Sequence, residues 1–252
     1  MKDVVQTIVR YESKYLIGKR TSDHYWEFLG GKVEDGEDLK ETALRELREE
    51  TGSKIKKENI EKYREGNSYQ SEKDSKYRLN PVLIQLSHKP DIKLSSEHSD
   101  YEWITLDEYH NYETLGQYQA LVNLDILEGK VGIAIAKEEE RYLLLKRSED
   151  NSSPGFWNYP GGKKEEGEDF QETALRELKE ETNLEGEKIT EGKSFIESGQ
   201  LGEWFVKPFT VKVKGEIQLN DEHSESKWAT IEEIKELKTL GTGKALKTTG
   251  EV

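Results

Sequence analysis

Two stretches of this chain are near copies of each other: GGKVEDGEDLKETALRELREETG at residues 30–52 and GGKKEEGEDFQETALRELKEETN at residues 161–183. Each stretch opens with two glycines and ends in a segment that carries three closely spaced glutamates. A repeat of this length indicates a duplicated folding unit rather than one large domain.

A second matched pair lies downstream, where EHSDYEWITLDE begins at Glu97 and EHSESKWATIEE begins at Glu222. The two copies therefore extend well beyond the glycine-rich stretches. A seam near Glu128 separates an apolar tail from a new alternating apolar segment. We predict two domains, residues 1–128 and 129–252, each of a common size for a domain.

Each copy predicts the same order of elements: two strands, a glycine loop, a long helix, further strands and a final helix. The predicted strands are residues 4–9, 15–20 and 81–86 in the first copy and 132–136, 142–147 and 205–213 in the second. This order indicates an α/β fold class. A Rossmann dinucleotide-binding fold is disfavoured, because neither copy has G-x-G-x-x-G between its first strand and first helix.

The helix after each glycine loop has a clear start and an apolar face. Asp38 followed by Glu41 has the form of a capping box, and Asp169 with Glu172 repeats it. Apolar residues then recur at helical spacing, which predicts a face that packs into the core. They are Leu39, Ala43, Leu44 and Leu47 in the first copy and Phe170, Ala174, Leu175 and Leu178 in the second.

Three glutamates share another face of the same helix. Glu46, Glu49 and Glu50 are so spaced that their carboxylates project from neighbouring positions. Like charges in this arrangement repel each other, and a bound divalent cation would relieve the repulsion. Ligand sets made only of oxygen suit Mg²⁺ or Mn²⁺. The second copy repeats the pattern with Glu177, Glu180 and Glu181.

Both stretches resemble the Nudix box, which reads G, five residues, E, seven residues, then R-E-U-x-E-E-x-G-U, where U is aliphatic. The first copy matches it at Gly31, Glu37, Arg45, Glu46, Leu47, Glu49, Glu50 and Gly52. The second copy matches it at Gly162, Glu168, Arg176, Glu177, Leu178, Glu180, Glu181 and Leu184. Ser53 departs from the pattern and predicts a slightly less stable junction. Asn183 replaces a glycine just past the helix end, where asparagine tolerates a left-handed conformation.

The resemblance implies an α/β/α sandwich around a mixed sheet in each half. By analogy with the family, the metal ligands are the Gly30 carbonyl, Glu46, Glu49 and Glu50 in the first copy and Gly161, Glu177, Glu180 and Glu181 in the second. Arg45 and Arg176 would orient these carboxylates, and Glu37 and Glu168 would anchor the loop. Glu97 and Glu222 are the candidate general bases, because MutT-like members place a glutamate before a Trp-bearing strand. His98 and His223 receive no role.

Aromatic pairs precede each box at strand spacing: Trp26 with Phe28, and Trp157 with Tyr159. One face of this strand could stack a nucleobase, and core packing is the alternative interpretation. Trp-x-aromatic-x-G-G-K resembles the MutT-like branch that acts on nucleoside triphosphates. Surface solvation is one interpretation of the basic residues near each box, and contact with substrate phosphates is the other. These residues are Lys19, Arg20, Lys32, Arg147, Lys163 and Lys164.

The resemblance implies Mg²⁺-dependent hydrolysis of a nucleoside diphosphate linked to X, with (d)NTPs, including oxidised forms, as the favoured substrates. Dinucleoside polyphosphates, ADP-ribose, nucleotide sugars and capped or triphosphorylated RNA ends are alternatives within the family. A nucleotide sensor without activity is an alternative from another class, but such domains commonly lose box carboxylates and neither copy has lost one. One copy could also catalyse while the other shapes the interface, and the two halves could pair as subunits of family homodimers do.

The composition sets limits on partners and location. A net charge of −14 disfavours nonspecific binding to nucleic acids or anionic membranes, which needs basic patches. The absence of cysteine excludes thiolate zinc sites and cysteine nucleophiles. No apolar run approaches the length of a membrane-spanning helix, and no signal-peptide core follows Met1. We therefore expect a cytoplasmic protein that acts on a small nucleotide, with no membrane contact and no DNA-binding segment.

Overall fold

The computed structural model describes residues 1–71, 74–114, 117–199 and 202–251. The chain divides into two compact units, Met1–Leu127 and Glu128–Val252, here named the first unit and the second unit. Each unit has its own β-sheet. Among the helices in these described ranges, none combines the length and apolar character needed to cross a membrane.

The first unit alternates strands and helices in the predicted order. Its strands are β1 (Lys2–Tyr11), β2 (Lys14–Arg20), β3 (Trp26–Glu27), β4 (Ile60–Glu65), β5 (Tyr69–Gln70), β6 (Tyr77–Leu86) and β7 (His98–Ile104). Its helices are α1 (Leu39–Thr51) and α2 (Tyr118–Asn123), with short 3₁₀ helices at Lys57–Asn59 and Leu106–Asn111.

The second unit repeats this order. Its strands are β8 (Gly129–Glu138), β9 (Arg141–Arg147), β10 (Trp157–Asn158), β11 (Gly161–Lys163), β12 (Glu185–Glu191), β13 (Phe195–Gly199), β14 (Gly202–Lys214) and β15 (His223–Ala229). Its helices are α3 (Phe170–Thr182), α4 (Ile231–Glu236) and α5 (Thr242–Thr249).

Both sheets are mixed, as the resemblance implied. The strand order is β3-β2-β1-β6-β4 in the first unit and β10-β9-β8-β14-β12 in the second, and further strands pair with members of these paths. The first strand of each unit runs parallel to a later one, β1 to β6 and β8 to β14. The predicted pairs of opening strands are antiparallel, but each pair is joined only near its turn.

Because β1 and β2 pair only near their turn, the backbone groups of β1 before the turn are available to bond the glycine loop. The N–H of Val5 donates to the carbonyl of Gly31 at 2.8 Å, and the N–H of Thr7 donates to that of Leu29 at 2.7 Å. In the second unit the same loop pairs regularly enough with β8 to form strand β11. The central strand thus fixes the loop that precedes the glutamate helix.

The apolar faces of α1 and α3 pack where their spacing predicted. Ala43, Leu44 and Leu47 are buried in a cluster that includes Val5 and Ile84. In the second unit the buried members are Ala174 and Leu178, with Phe170 and Leu175 partly buried against the same cluster. Burial of this stripe orients each helix, so the glutamate face that borders the stripe turns toward the glycine loop.

Both helix starts and both helix ends follow the prediction. Asp38 and Asp169 accept backbone N–H groups at the N-termini, and both capping boxes are complete. Gly52 ends α1 with φ of 59°, and Asn183 ends α3 with φ of 60°. Ser53, which departs from the aliphatic pattern, is buried and accepts a hydrogen bond from the Thr51 hydroxyl at 2.7 Å.

The left-handed position after α3 generates a testable prediction. Asn183→Ala should lower the free energy of unfolding by about 1 kcal/mol, because alanine pays more for a positive φ than asparagine does. Asn183→Gly should be neutral or slightly stabilising. Urea denaturation of the full chain measures both changes. Equal losses for both variants would show that the backbone conformation is not the cause.

Candidate functional site

The glycine loop and the glutamate helix meet at a contact that only glycine allows. A Cβ at Gly31 would lie 2.1 Å from Oε1 of Glu46, and a Cβ at Gly162 would lie 2.2 Å from Oε1 of Glu177. Side-chain carbon and carboxylate oxygen cannot approach this closely. The second glycine of each pair therefore makes room for the first glutamate of the helix.

Arg45 joins the loop to the helix in the first unit. Its Nε donates to Oε1 of Glu37 at 2.8 Å, and its Nη1 donates to Oε1 of Glu46 at 2.8 Å and to Oε2 of Glu49 at 3.1 Å. Its Nη2 reaches the carbonyl of Lys32 at 2.9 Å. These bonds lower the pKa of Glu37 to about 2 and hold that carboxylate ionised.

Arg176 makes the same set of contacts in the second unit. It donates to Glu168 at 2.7 Å, to Glu177 at 2.8 Å, to Glu180 at 3.1 Å and to the carbonyl of Lys163 at 3.2 Å. The predicted orienting arginines and loop carboxylates are therefore brought together in both copies. Their roles in a reaction stay predictions.

The third glutamate of each helix is buried and lies beyond the arginine's hydrogen bonds. Glu50 and Glu181 are each 4% exposed. Each accepts one backbone N–H, from Gly30 and Gly161 respectively, at 3.1 Å. Burial raises the pKa of both carboxyls to about 9, and the charge of the neighbouring Glu46 or Glu177 adds to the rise.

The first glutamate of each helix is also affected by burial. Removal from water raises the pKa of Glu46 and Glu177, while the adjacent arginine opposes the rise. One arginine thus faces three glutamates that lie close together. This uncompensated negative charge fits a divalent cation, which oxygen ligands from the same carboxylates would hold.

The predicted general bases lie at the same clusters. The charge of Glu97 raises the pKa of both Glu46 and Glu50, so its carboxylate is close to them. In the second unit, ligand atoms of Glu181, Glu222 and His223 all lie within 4.8 Å of one another. Both Glu97 and Glu222 are exposed, which leaves their carboxylates accessible to water.

The two histidines that received no role differ in their surroundings. His98 packs over Gly18, where a Cβ would lie 2.6 Å from the ring, and its Nε2 is 3.5 Å from Oε1 of Glu27. In the second unit leucine and asparagine stand at the positions of Gly18 and Glu27. His223 instead lies beside the carboxylate cluster, where burial first and Arg147 second lower its pKa to about 4.

Gly30 and Gly161, the predicted backbone ligands, border the clusters through their N–H groups. The carbonyl that pairs with the central strand in the first unit belongs to Gly31. A Cβ at Gly30 would lie 2.0 Å from the carbonyl oxygen of Val5, which explains the glycine there. Ligation of a metal by the Gly30 or Gly161 carbonyl stays a prediction.

A cavity of about 320 Å³ adjoins the cluster of the first unit. Phe28 and Gly30 line it together with Gln6, Tyr69 and Gln117. Phe28 is 3% exposed and stacks on Tyr109, with ring centroids 6.2 Å apart. Trp26 and Phe28 are the aromatic pair predicted to contact a base, and of these two Phe28 alone lines the cavity.

Trp26 packs on the other side of the short strand. Its ring meets Tyr112 edge-on at 5.0 Å, and Lys19 lies 5.9 Å from its centroid. The second unit repeats this split, since Tyr159 lines the cavity there and Trp157 packs against the core. A substrate contact by Trp26 or Trp157 thus has no support from the cavity linings and stays a prediction.

The second unit has a cavity of about 480 Å³. Its lining includes Glu177, Glu181 and Glu222, so the cavity is continuous with the carboxylate cluster. Phe195 and Trp204 form part of the wall, and neither was singled out in the sequence because both lie on later strands.

The predicted phosphate-binding arginines line the two cavities but differ in their partners. Arg20 forms ion pairs with Asp23 at 3.2 Å and Glu27 at 3.4 Å. Arg147 donates to Asn151 and, at 2.8 Å, to the Ser152 hydroxyl. Among the described residues no carboxylate bonds Arg147 directly, whereas Arg20 is partly neutralised.

Comparison with known proteins gives the same result for both halves. A family model described as NUDIX domain matches residues 1–123 and residues 127–248. The RNA pyrophosphohydrolase of Pelagibacter ubique is 31% identical over 136 residues, which make up 46% of this chain and 84% of that protein. The nucleoside triphosphatase NudI of Klebsiella pneumoniae is 26% identical over 123 residues, covering 44% of this chain and 87% of that protein.

A similar solved structure is the crystal structure of the MutT NUDIX hydrolase from Burkholderia pseudomallei. It is 23% identical and has a TM-score of 0.44, with 48% of this chain and 96% of that chain covered.

The buried carboxyls predict an unusual dependence of stability on pH. In the metal-free folded chain Glu50 and Glu181 stay protonated up to about pH 9, whereas in the unfolded chain they ionise near their ordinary pKa of 4.5. Their contribution is therefore fully present below pH 4.5 and is lost as the pH rises toward 9. The lowered pKa of Glu37, about 2, changes the stability only below pH 4.5, and therefore outside this pH range.

Replacement of both buried carboxyls by amides should remove this slope. With metal chelated, Glu50→Gln together with Glu181→Gln should flatten the fall in unfolding free energy between pH 5 and 9, which wild type shows. At pH 8 the gain from the two sites together should be on the order of 5–10 kcal/mol. Thermal and urea unfolding measure it. The control is Glu49→Gln with Glu180→Gln, which makes the same change of side chain at two exposed positions. Parallel pH profiles for all three proteins would contradict the role of burial.

Proposed function

This chain belongs to the Nudix family through both of its halves, and from that membership we propose a Mg²⁺-dependent nucleotide pyrophosphohydrolase with two working sites. The membership makes the chain a hydrolase that acts on pyrophosphate bonds. Hydrolases of this family generally use divalent metals. The proposed substrates are (d)NTPs, including oxidised forms, cleaved to a nucleoside monophosphate and pyrophosphate.

One observation carries the proposal of two working sites. Each unit retains the complete set of three helix glutamates, one arginine and one loop glutamate, with matching hydrogen bonds. A unit that served only as a sensor or as an interface would not need its own complete copy of this set. We therefore favour catalysis in both units over a division of labour. The proposed domain limits are 1–128 and 129–252.

We assign the residues of the first unit as follows. Glu46, Glu49 and Glu50 hold Mg²⁺, or Mn²⁺ in its place, with the Gly30 carbonyl as a further ligand. When bound, the ions supply charge neutralisation on the bridging oxygens and lower the pKa of water. Arg45 keeps the carboxylates in position through Glu37, which is held by the loop. The second unit uses Gly161, Glu168, Arg176, Glu177, Glu180 and Glu181 in the same roles.

The proton of the attacking water needs an acceptor near the cluster. Glu97 is exposed, lies close enough to Glu50 to raise its pKa, and has its backbone carbonyl fixed by the N–H of Thr21 at 2.8 Å. Glu222 has the same arrangement with Ser148 at 2.9 Å. We propose these two glutamates as general bases.

Two features beside the carboxylate clusters support a nucleotide as the substrate. A cavity adjoins each carboxylate cluster, and an arginine lines each cavity. The nucleoside triphosphatase NudI is among the relatives, which supports (d)NTPs. Because the RNA pyrophosphohydrolase is another, RNA with a 5′-triphosphate belongs in the same substrate panel. Pairing of the two halves, as in a homodimer, stays a prediction.

Separate inactivation of the two sites tests the assignment. Glu50→Gln and Glu181→Gln should each leave the turnover of the other unit, and the double variant should lose at least about 100-fold in kcat, since a ligand and its charge are removed from each site. Hydrolysis of (d)NTPs, dinucleoside polyphosphates, ADP-ribose, nucleotide sugars and triphosphorylated RNA, with products identified by mass, is the measurement.

The matched control is Glu58→Gln, which removes a charge at an exposed position outside the box. Full turnover by the double variant would refute the metal assignment. Turnover confined to one unit would support the division of labour instead.

The general base gives a different signature from the metal ligands. Glu97→Gln combined with Glu181→Gln, which isolates the first site, should lower kcat by about 100-fold and leave Mg²⁺ affinity within a few-fold. The pH profile of kcat should lose its acidic limb at the same time. A loss of Mg²⁺ affinity equal to the loss of kcat would assign Glu97 to metal binding and not to proton transfer.

A further inference from the structure

The cavity of the first unit contains two buried carboxamides at positions where the second unit has other side chains. Gln6 is 8% exposed and Gln117 is 9% exposed, and both line the cavity beside Phe28 and Gly30. Each buried carboxamide has two N–H donors and one acceptor oxygen, which need hydrogen-bond partners. Some of these groups already have partners within the unit.

The side-chain oxygen of each glutamine is bonded within the unit. Oε1 of Gln6 accepts the Tyr69 hydroxyl at 2.5 Å, and Oε1 of Gln117 accepts the N–H of Phe28 at 2.5 Å. A backbone N–H can only donate, so the oxygen of Gln117 must face Phe28. Within the described ranges no acceptor bonds the Nε2 of either glutamine. The cavity therefore presents amide donors from two directions.

The second unit has other side chains at the equivalent places. Gln6 lies opposite Pro81 in the parallel ladder, and Ile133 lies opposite Pro208 in its counterpart. Tyr69, opposite Leu79, corresponds in the same way to Phe195, opposite Val206. Ile133, Phe195 and Trp204 form an apolar wall there.

Gln117 has no amide counterpart either. The matching stretches read L-G-Q and L-G-T, which places Thr242 at this position. Thr242 is buried and does not line the described cavity of its unit. The cavity of the second unit has its carboxamides at other positions, Asn151 and Asn158. Their Nδ2 groups already donate to the carbonyls of Glu222 and Tyr159.

We propose that the first site selects nucleotides whose base carries an oxo group, as guanine and uracil do, through the amide donors of Gln6 and Gln117. The second site does not share this preference. The inference rests on the proposed function, since it concerns the base of the same nucleotide substrates. Tyr69 acts as a positioning residue, because its hydroxyl holds the oxygen of Gln6 and leaves the NH₂ group for the ligand.

The preference follows from the hydrogen-bonding edges of the bases. Guanine presents O6 and N7 as acceptors and uracil presents O4, whereas adenine and cytosine present an amino group at the corresponding position. An amino group against an amide NH₂ places two donors together and leaves both unpaired after water is removed. Such a mismatch costs roughly 10- to 100-fold in selectivity.

Single-site forms of the full chain allow the test. In Glu181→Gln, where only the first site works, kcat/KM for GTP and UTP should exceed that for ATP and CTP by about 10- to 100-fold. In Glu50→Gln, which leaves only the second site, the same ratio should stay below this range. An equal oxo preference at both sites would overturn the inference.

Exchange of the glutamine assigns the preference to its cause. In the Glu181→Gln background, Gln6→Ile, which introduces the residue of the second unit, should lower the ratio of kcat/KM for GTP and UTP to that for ATP and CTP about tenfold. Gln85→Leu, on β6 and outside the cavity, is the matched control. Tyr69→Phe should produce a smaller shift in the same direction and is the second variant if Gln6→Ile does not fold. A base preference that survives both substitutions would contradict the role of Gln6.

Binding distinguishes failure of the inference from failure of the proposed function. Calorimetric titration of the metal-free chain with GMP, UMP, AMP and CMP needs no turnover. Preferential binding of GMP and UMP that Gln6→Ile removes would support the inference even if no triphosphate were hydrolysed, and the proposed function alone would then be wrong. Equal binding of all four by the wild type and by Gln6→Ile would overturn the inference while leaving hydrolysis intact.

Discussion

Each site depends on one arginine that joins the glycine loop to the glutamate helix. Arg45 satisfies Glu37 and Glu46 with charge-assisted bonds of 2.8 Å, and Arg176 does the same in the second unit. Such bonds are strong and directional because the guanidinium group has several fixed donors. The arginine therefore determines where the first two helix glutamates point, and it makes no hydrogen bond to the third.

That third carboxyl explains why the arrangement fits a metal. Glu50 and Glu181 are buried beside other carboxyls, and within the described part of the chain each accepts one hydrogen bond, from a backbone N–H. A buried carboxylate without a cation is costly, so the metal-free chain keeps the proton. A divalent ion held by these carboxylates would take the place of this proton and balance the negative charge of the cluster. Helix geometry, burial and ligand chemistry thus all favour metal binding at the carboxylate cluster of each unit.

The box, the capping residues and the core face of α1 and α3 could be predicted, because all of them depend on local spacing within one helix. The cavities could not. Gln6 and Tyr69 meet across 63 residues, through strands whose register no local pattern fixes. Trp26 and Phe28 were expected to share a face by strand alternation, yet β3 ends at Glu27 and only Phe28 lines the cavity. The different surroundings of His98 and His223 likewise follow from Gly18, whose importance appears only once β7 is placed against β2.

The central claim is that the glutamates of each unit hold divalent ions. Titration of the metal-free chain with Mn²⁺, followed by electron paramagnetic resonance of the free ion, counts these sites directly. The account predicts at least one tight site per unit in the wild type, loss of one unit's site in Glu50→Gln or in Glu181→Gln, and loss of both in the double variant. Undiminished Mn²⁺ binding by the double variant, or none by the wild type, would contradict it.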